Sequence, residues 1–397
     1  MSERAVQANA EIPERLRILG VFAHPDDETF CAGGTLAKYV AAGAEAKVIS
    51  FTRGDAGQIR DADLATRRTL GQVREQELRQ ACTLLWVKSV ECLDYDDGRL
   101  KDDNRSELVG RVVEAIRSFR PDIVLTFGED GAYGHPDHVA ISQVTTEAFG
   151  MSGDLAEFPE QIASGLPPHA PTKLFHSQFP HNRMLLMDRL VRWLVGQETH
   201  FHGSTDFVQG LALFAGESVT MGFSSDHIQV AWYPPRFYII EQGEPETNLY
   251  LILSGWADVV QEEADGSLNK VAERGPGDFI GEIGFAHHQP RNANVISRDS
   301  VTCLVLSPGE PTAFAGRGAG ARFAFSAEED INDGPSEAGA TCIDVSDYVT
   351  QKFAAIAAHR TQYRLPLDLF PDEILKEMLG KEYIIRVFPS IDLASEL

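Results

Sequence analysis

The chain has 397 residues, enough for two domains. Its composition, 43% hydrophobic and 24% charged, is that of a globular protein and not of a disordered or fibrous one. A formal net charge of -24 and a pI near 4.8 argue against a nucleic acid polymer or an anionic membrane as partner.

Residues 1–14 are polar and lack the apolar core of a signal peptide. No window approaches a transmembrane span, so the expected location is cytoplasmic. The five cysteines include no Cys-x-x-Cys pair, which argues against a disulfide framework or a cysteine zinc site.

An apolar run over 16–22 predicts a strand, and Ala23-His24-Pro25-Asp26-Asp27-Glu28 follows directly. A helix is predicted over 34–42, a strand over 46–52, and a helix over 66–86. The last carries Leu70, Val73, Leu78, Ala81 and Leu85 at helical spacing. A strand over 89–93, a helix over 107–119 and a strand over 123–127 complete the alternation. His135-Pro136-Asp137-His138 comes next. Such alternation predicts a doubly wound, mainly parallel α/β sheet of Rossmann-like type. Parallel strands place both polar loops at the same carboxyl edge, where ligands bind in such sheets.

The two loops supply nitrogen and oxygen ligands for a divalent metal, with acid/base groups to spare. A hydrolytic site of this kind keeps three protein ligands and one open position. Adjacent Asp26 and Asp27 point different ways in extended chain, so one can bind metal while the other serves as base. Of His135 and His138, one can be a ligand and the other an acid or oxyanion stabiliser, with Asp137 available to orient an imidazole.

These motifs resemble the PIG-L/LmbE-like family of zinc-dependent N-acetylglucosamine deacetylases. Thr52-Arg53-Gly54-Asp55-Ala56-Gly57, Arg74-Glu75-Gln76-Glu77-Leu78 and Asp97-Gly98-Arg99-Leu100 extend the resemblance. It implies that His24, Asp27 and His138 bind Zn2+ and that Asp26 is the general base. It further implies that His135, helped by Asp137, and Tyr133 assist at the oxyanion or leaving group. Arg74 and Asp97 are the implied substrate contacts. Trp86 stands where the family has glycine. The expected substrate is an N-acetylated amino sugar. Two alternatives are an amidase acting on a sugar-thiol conjugate, and a nucleotide sensor on an inactive scaffold.

Beyond residue 230 the pattern changes to short strand candidates separated by glycine turns: 237–240, 248–260, 271–272, 279–280 and 300–306. These predict an antiparallel barrel or sandwich. Gly281-Glu282 followed by Pro290-Arg291-Asn292-Ala293 offers backbone N–H groups and a guanidinium to an anion. Residues 231–306 resemble a cyclic nucleotide-binding domain. The resemblance implies Glu282 for the ribose and Arg291 for the cyclic phosphate of cAMP or cGMP, with Gly281, Asn292 and Ala293 beside them. Asn292 stands where that family often has Thr or Ser. Residues 341–348 and 352–362 resemble the closing strand and helix of the deacetylase fold. The expected organisation is a discontinuous deacetylase domain, 1–228 and 341–397, with an antiparallel β-roll inserted over 229–340. Such an insert could bias the catalytic domain through the loops around 341. His359 is expected to pack in the closing helix.

Overall fold

Two central strands organise the first domain of the computed structural model, which describes residues 16–178, 220–225, 228–245, 248–282, 290–306, 340–368 and 370–389. β1 (Arg17–Phe22) and β4 (Ile123–Phe127) pair in parallel, with Leu19 opposite Val124. β2 (Glu45–Thr52) and β3 (Ser89–Tyr95) extend the sheet in parallel on one side, and β5 (Lys173–Gln178) on the other. Two antiparallel strands from the C-terminal segment, β16 (Lys381–Phe388) and β15 (Thr341–Asp344), complete a seven-stranded sheet. Its order is β15-β16-β5-β4-β1-β2-β3. The strands read as near-continuous apolar runs because helices cover the sheet. Leu19, Val21, Phe22, Val48 and Val124 are fully buried in one core with Leu36, Leu78, Val112 and Ile141.

The helices are α1 (Asp27–Ala41), α2 (Leu70–Leu84), α3 (Arg105–Phe119), α4 (Gly131–Gly134), α5 (Pro136–Met151), α6 (Pro159–Ala163), α7 (Val349–Ala358) and α8 (Asp372–Leu379). α1 and α2 pack against α7, and α3 against α5. α1 begins seven residues ahead of the expected start at Gly34. Two consecutive glycines disguise the helix in the sequence. Gly34 is required by packing: a Cβ there would lie 2.6 Å from Val345 Cγ2. Glu382 accepts from the N–H groups of Gly34 and Thr35 at 2.8 Å and pairs with Lys352 at 2.6 Å, so the C-terminal segment is stitched to α1. α2 starts at Leu70, after a turn in which Thr69 Oγ1 accepts from Thr66 N.

The insert folds as a β-roll of two antiparallel sheets. One contains β11 (Leu268–Arg274), β10 (Ala257–Glu262), β13 (Asn294–Ser297) and β8 (Tyr238–Ile240), in that order. The other contains β12 (Phe279–Ile280), β9 (Leu249–Ser254), β14 (Val301–Leu306), β7 (Ile228–Tyr233) and β6 (Thr220–Ser225). Because β6 pairs with β7 as a hairpin, the insert's sheet begins at Thr220, ahead of the boundary expected at 229. The strand expected over 248–260 divides at Gly255. Its φ is +82°, and a Cβ would lie 2.2 Å from Ser300 O. Residues 1–14, read above for targeting, lie outside the described residues. Among the described residues no helix is long and apolar enough to cross a membrane.

Candidate metal centre

The chain runs from β1 outward to β3, then returns to β4 on the other side of β1. The loops after β1 and β4 therefore face one crevice at a topological switch point. His24 leaves β1. Asp26 caps α1 with φ 106° in left-handed conformation, and Asp27 and Glu28 occupy the first turn. His135 caps α5, accepting at Nδ1 from Asp137 N at 3.2 Å, and His138 follows one residue later. A non-glycine residue held at positive φ stores strain that the surrounding contacts must sustain.

Hydrogen bonds fix the tautomers. His24 Nε2 lies 2.9 Å from Asp97 Oδ1 and 3.3 Å from Asp137 Oδ2, so it carries the proton. His138 Nδ1 lies 3.1 Å from Gly131 O and donates to it. The remaining nitrogens, His24 Nδ1 and His138 Nε2, then face each other with bare lone pairs at 3.1 Å. Asp27 lies beside both, its Oδ2 3.4 Å from His24 Nδ1 and its Oδ1 3.3 Å from His138 Nε2. With both imidazoles neutral, the three groups turn acceptors toward one another. Metal–ligand distances of roughly 2.0–2.2 Å in a tetrahedral zinc site give edges of about 3.4 Å, and these pairwise separations lie near that value. His135 brings a third imidazole to His24 and His138, with ligating atoms of all three within 4.8 Å of one another.

The titration tendencies agree. Burial opposes charge on His24, but the Asp137, Asp27 and Asp97 carboxylates outweigh it and raise its pKa well above the usual value. Asp27 is held down to about 2: His138 and His24 overcome the burial that would raise it. Asp26 is pushed up to about 6, chiefly by burial and against the pull of Arg74. His135 is lowered to about 4 by burial and by His24 and His138, so it is neutral, with its proton on Nε2.

Arg74 and Asp97, expected to meet substrate, both back the site. Arg74 is buried and donates to Gly54 O at 2.7 Å, Pro25 O at 2.5 Å and Asp26 Oδ2 at 3.3 Å. Asp97 orients His24 and accepts from Ala56 N at 2.8 Å. Asp137 accepts from the N–H groups of Gly98 and Leu100, which ties the 97–100 turn to α5. Tyr133 lies in α4, and its side chain is outside the described residues.

Glu28 and Tyr363 were given no role in the sequence, and His359 only a packing one. Glu28 Oε2 accepts from Asp26 N at 2.9 Å, and its Oε1 pairs with His359 Nε2 at 2.9 Å, both side chains fully buried. Tyr363 Oη lies 3.3 Å from Asp26 Oδ2. The third acid of the Asp-Asp-Glu run, and a His and Tyr four residues apart after α7, were the available signals.

In the insert, Gly281 has φ +83°, and a Cβ there would lie 2.5 Å from Arg291 Nη1. Arg291 is buried, donating to Gly281 O at 2.7 Å and Asn248 O at 2.5 Å. Glu282 and Asn292 are exposed and Ala293 is buried. Residues 283–289 lie outside the described residues.

The fold and site thus define an α/β domain whose switch point gathers His and Asp side chains that could hold a metal ion, joined to a β-roll. Residues 19–149 match the family profile GlcNAc-PI de-N-acetylase (PIG-L), and residues 230–314 match the cyclic nucleotide-binding domain, so the chain carries both domains. The chain is 31% identical over 183 residues to a mycothiol S-conjugate amidase of Streptomyces coelicolor, covering 42% of this chain and 61% of that one. It is 33% identical over 188 residues to a 1D-myo-inositol 2-acetamido-2-deoxy-alpha-D-glucopyranoside deacetylase of Thermobispora bispora, covering 42% of this chain and 60% of the relative. It thus spans about three fifths of these relatives. Among solved structures it is similar to N,N'-diacetylchitobiose deacetylase from Pyrococcus horikoshii, with 23% identity, TM-score 0.37, and coverage of 50% of this chain and 78% of that one.

Proposed function

We propose that the chain is a zinc-dependent hydrolase that removes an acetyl group from an N-acetylglucosamine-type amide, modulated by a cyclic nucleotide. The observation that carries this reading is the convergence of His24, Asp27 and His138 beside a half-buried carboxylate, Asp26. A divalent cation held by those three residues would polarise the amide carbonyl and acidify water. Asp26 takes the proton of the attacking water as its oxygen bonds the carbonyl carbon. His135 Nε2–H donates to the carbonyl oxygen as negative charge develops there. The C–N bond then breaks, the leaving amine takes the proton held on Asp26, and acetate and the free amine depart.

A second reading changes the substrate. The likeness to the Streptomyces amidase supports an amide in a thiol conjugate, cleaved by the same residues. The test is acetate release from a panel of N-acetylglucosaminyl compounds, with amine release from a sugar-thiol conjugate assayed beside it. Wild type, Asp26→Ala and Arg291→Ala would each be compared with and without cyclic AMP and cyclic GMP. Acetate release lost in Asp26→Ala supports the hydrolase; release that survives Asp26→Ala overturns it. Zinc-loaded protein that binds nucleotide but cleaves neither substrate class favours the sensor reading. Equal rates with and without saturating nucleotide remove modulation.

A further inference from the structure

The inserted domain touches the catalytic domain along residues 59–70, which follow the 54–57 loop. Ile59, Ala62, Ala65 and Leu70 of the catalytic domain share a small buried core with Tyr238, Val260 and Ile296 of the insert. Polar ties frame it: Ala62 N donates to Arg236 O at 2.8 Å, and Arg364 Nη1 donates to Pro235 O at 2.6 Å.

One tie at this interface differs from the rest in what it reaches. Glu241, at the end of β8, is buried and accepts from Arg67 Nε at 3.0 Å and from its Nη2. The same guanidinium uses Nη1 to hold Asp55 O and, at 2.8 Å, Gly57 O. Arg67 therefore clamps the 54–57 loop while its other edge is held by the insert. That loop carries both supports of the metal centre. Ala56 N donates to Asp97 Oδ2 at 2.8 Å, and Asp97 Oδ1 holds His24 Nε2 at 2.9 Å. Gly54 O accepts at 2.7 Å from Arg74, whose Nη2 reaches Asp26. A guanidinium shared in this planar, multidentate way loses its geometry when one partner is removed.

We propose that Glu241 of the inserted domain is a positioning residue for the hydrolytic site, acting through Arg67 and the 54–57 loop on Asp97 and Arg74. This rests on the hydrolase reading above. Without Glu241 the Arg67 side chain keeps two carbonyl partners but loses the anchor that fixes its direction. Asp97 and Arg74 then hold His24 and Asp26 less firmly. The metal centre weakens although no residue touching it has changed.

The test uses the full chain and two readouts: zinc affinity by chelator competition, and kcat and KM for acetate release. Outer-shell partners of metal ligands typically govern affinity by about 10–100-fold, and a more remote link belongs at the lower end. Glu241→Ala is expected to weaken zinc by roughly 10-fold and to lower kcat similarly, with KM changed less than about two-fold. Glu241→Gln keeps an acceptor for the guanidinium and recovers most of both. Val260→Ala is the control, because it thins the apolar interface without touching the Arg67 link. If Val260→Ala reproduces the loss of zinc affinity, Glu241 serves only docking and the proposal falls. It falls equally if Glu241→Ala leaves zinc affinity unchanged. If wild type binds zinc but releases no acetate from any substrate, the hydrolase reading fails, and zinc affinity alone still decides the positioning role.

Discussion

The two candidate ligand sites are built on opposite principles. The metal centre gathers acceptors from segments far apart in the chain: His24 and Asp27 after β1, His138 after β4, and Asp97 between them. The nucleotide site is closed by near neighbours in one β-roll, and its arginine is already held by the carbonyls of Gly281 and Asn248. A cation at the first site would offset its clustered carboxylates, whereas the second has its arginine placed by the protein's own carbonyls. Only the first is therefore expected to owe much of its local stability to occupancy. The link between them runs through the backbone. Gly243 N donates to Arg291 O at 2.7 Å and Arg291 N to Glu244 O at 2.9 Å, two and three residues from Glu241.

The largest expected effect sharpens the chemistry of the first site. Asp26→Asn removes the proton acceptor but keeps the shape, and should lower kcat by about 10²–10⁴-fold. Zinc content should stay at the wild-type level, since Asp26 lies outside the ligand triangle. Loss of zinc in this variant would merge the two aspartate roles that the geometry separates. Asp97→Asn should act in the reverse sense, weakening zinc by roughly 10–100-fold through His24. A rise in KM with zinc affinity intact would instead return Asp97 to the substrate.

Ligand addition tests the contrast directly. Zinc at about 100 times its Kd should stabilise the folded protein by about 2.7 kcal/mol against the stripped form, read as a shift in Tm. In the second region the comparable change comes from the protein itself. Arg291→Ala leaves the buried carbonyls of Gly281 and Asn248 short of a donor, a loss of about 1–3 kcal/mol without any nucleotide present. A Tm unchanged in Arg291→Ala would mean that the arginine is held in place by its ligand after all.

The candidate metal ligands stood out in the sequence because they cluster in two short runs, one directly after β1 and the other beyond β4 and the short α4. The mainly parallel sheet could be inferred because strands and helices alternate along the chain. The start of α1 was hidden by Gly33 and Gly34; the missing side chain of Gly34 serves packing against Val345 and not helix termination. Trp86 was legible as an oddity: it has φ +62°, a conformation that favours glycine, and its ring meets Tyr348 edge-on. The contacts of Arg74 and Asp97 with Asp26 and His24 were not legible, since a charged residue near a site can face substrate or face the residues behind it. Nor was the Glu241–Arg67 pair, which joins residues 174 apart in the chain.

The smallest expected effect concerns His359, read from sequence as packing. Burial would lower its pKa, but Glu28, with Asp26 and Glu77 also facing it, raises it above the usual 6.5. A histidine whose folded pKa exceeds its unfolded one adds stability that is fully present below the unfolded value, near 6.5. That contribution disappears as pH rises through the higher folded value. In chelator-stripped protein, the Tm of wild type should therefore fall more steeply than that of His359→Gln as pH climbs from about 6.5. Parallel slopes would show that the pair with Glu28 is neutral in the folded protein. The outcome also bears on the base, because Glu28 spends its other oxygen on Asp26 N and so helps hold Asp26 at its positive φ. A charged pair behind that contact would make the strained backbone of Asp26 firmest at acidic and neutral pH, and looser above the folded pKa of His359.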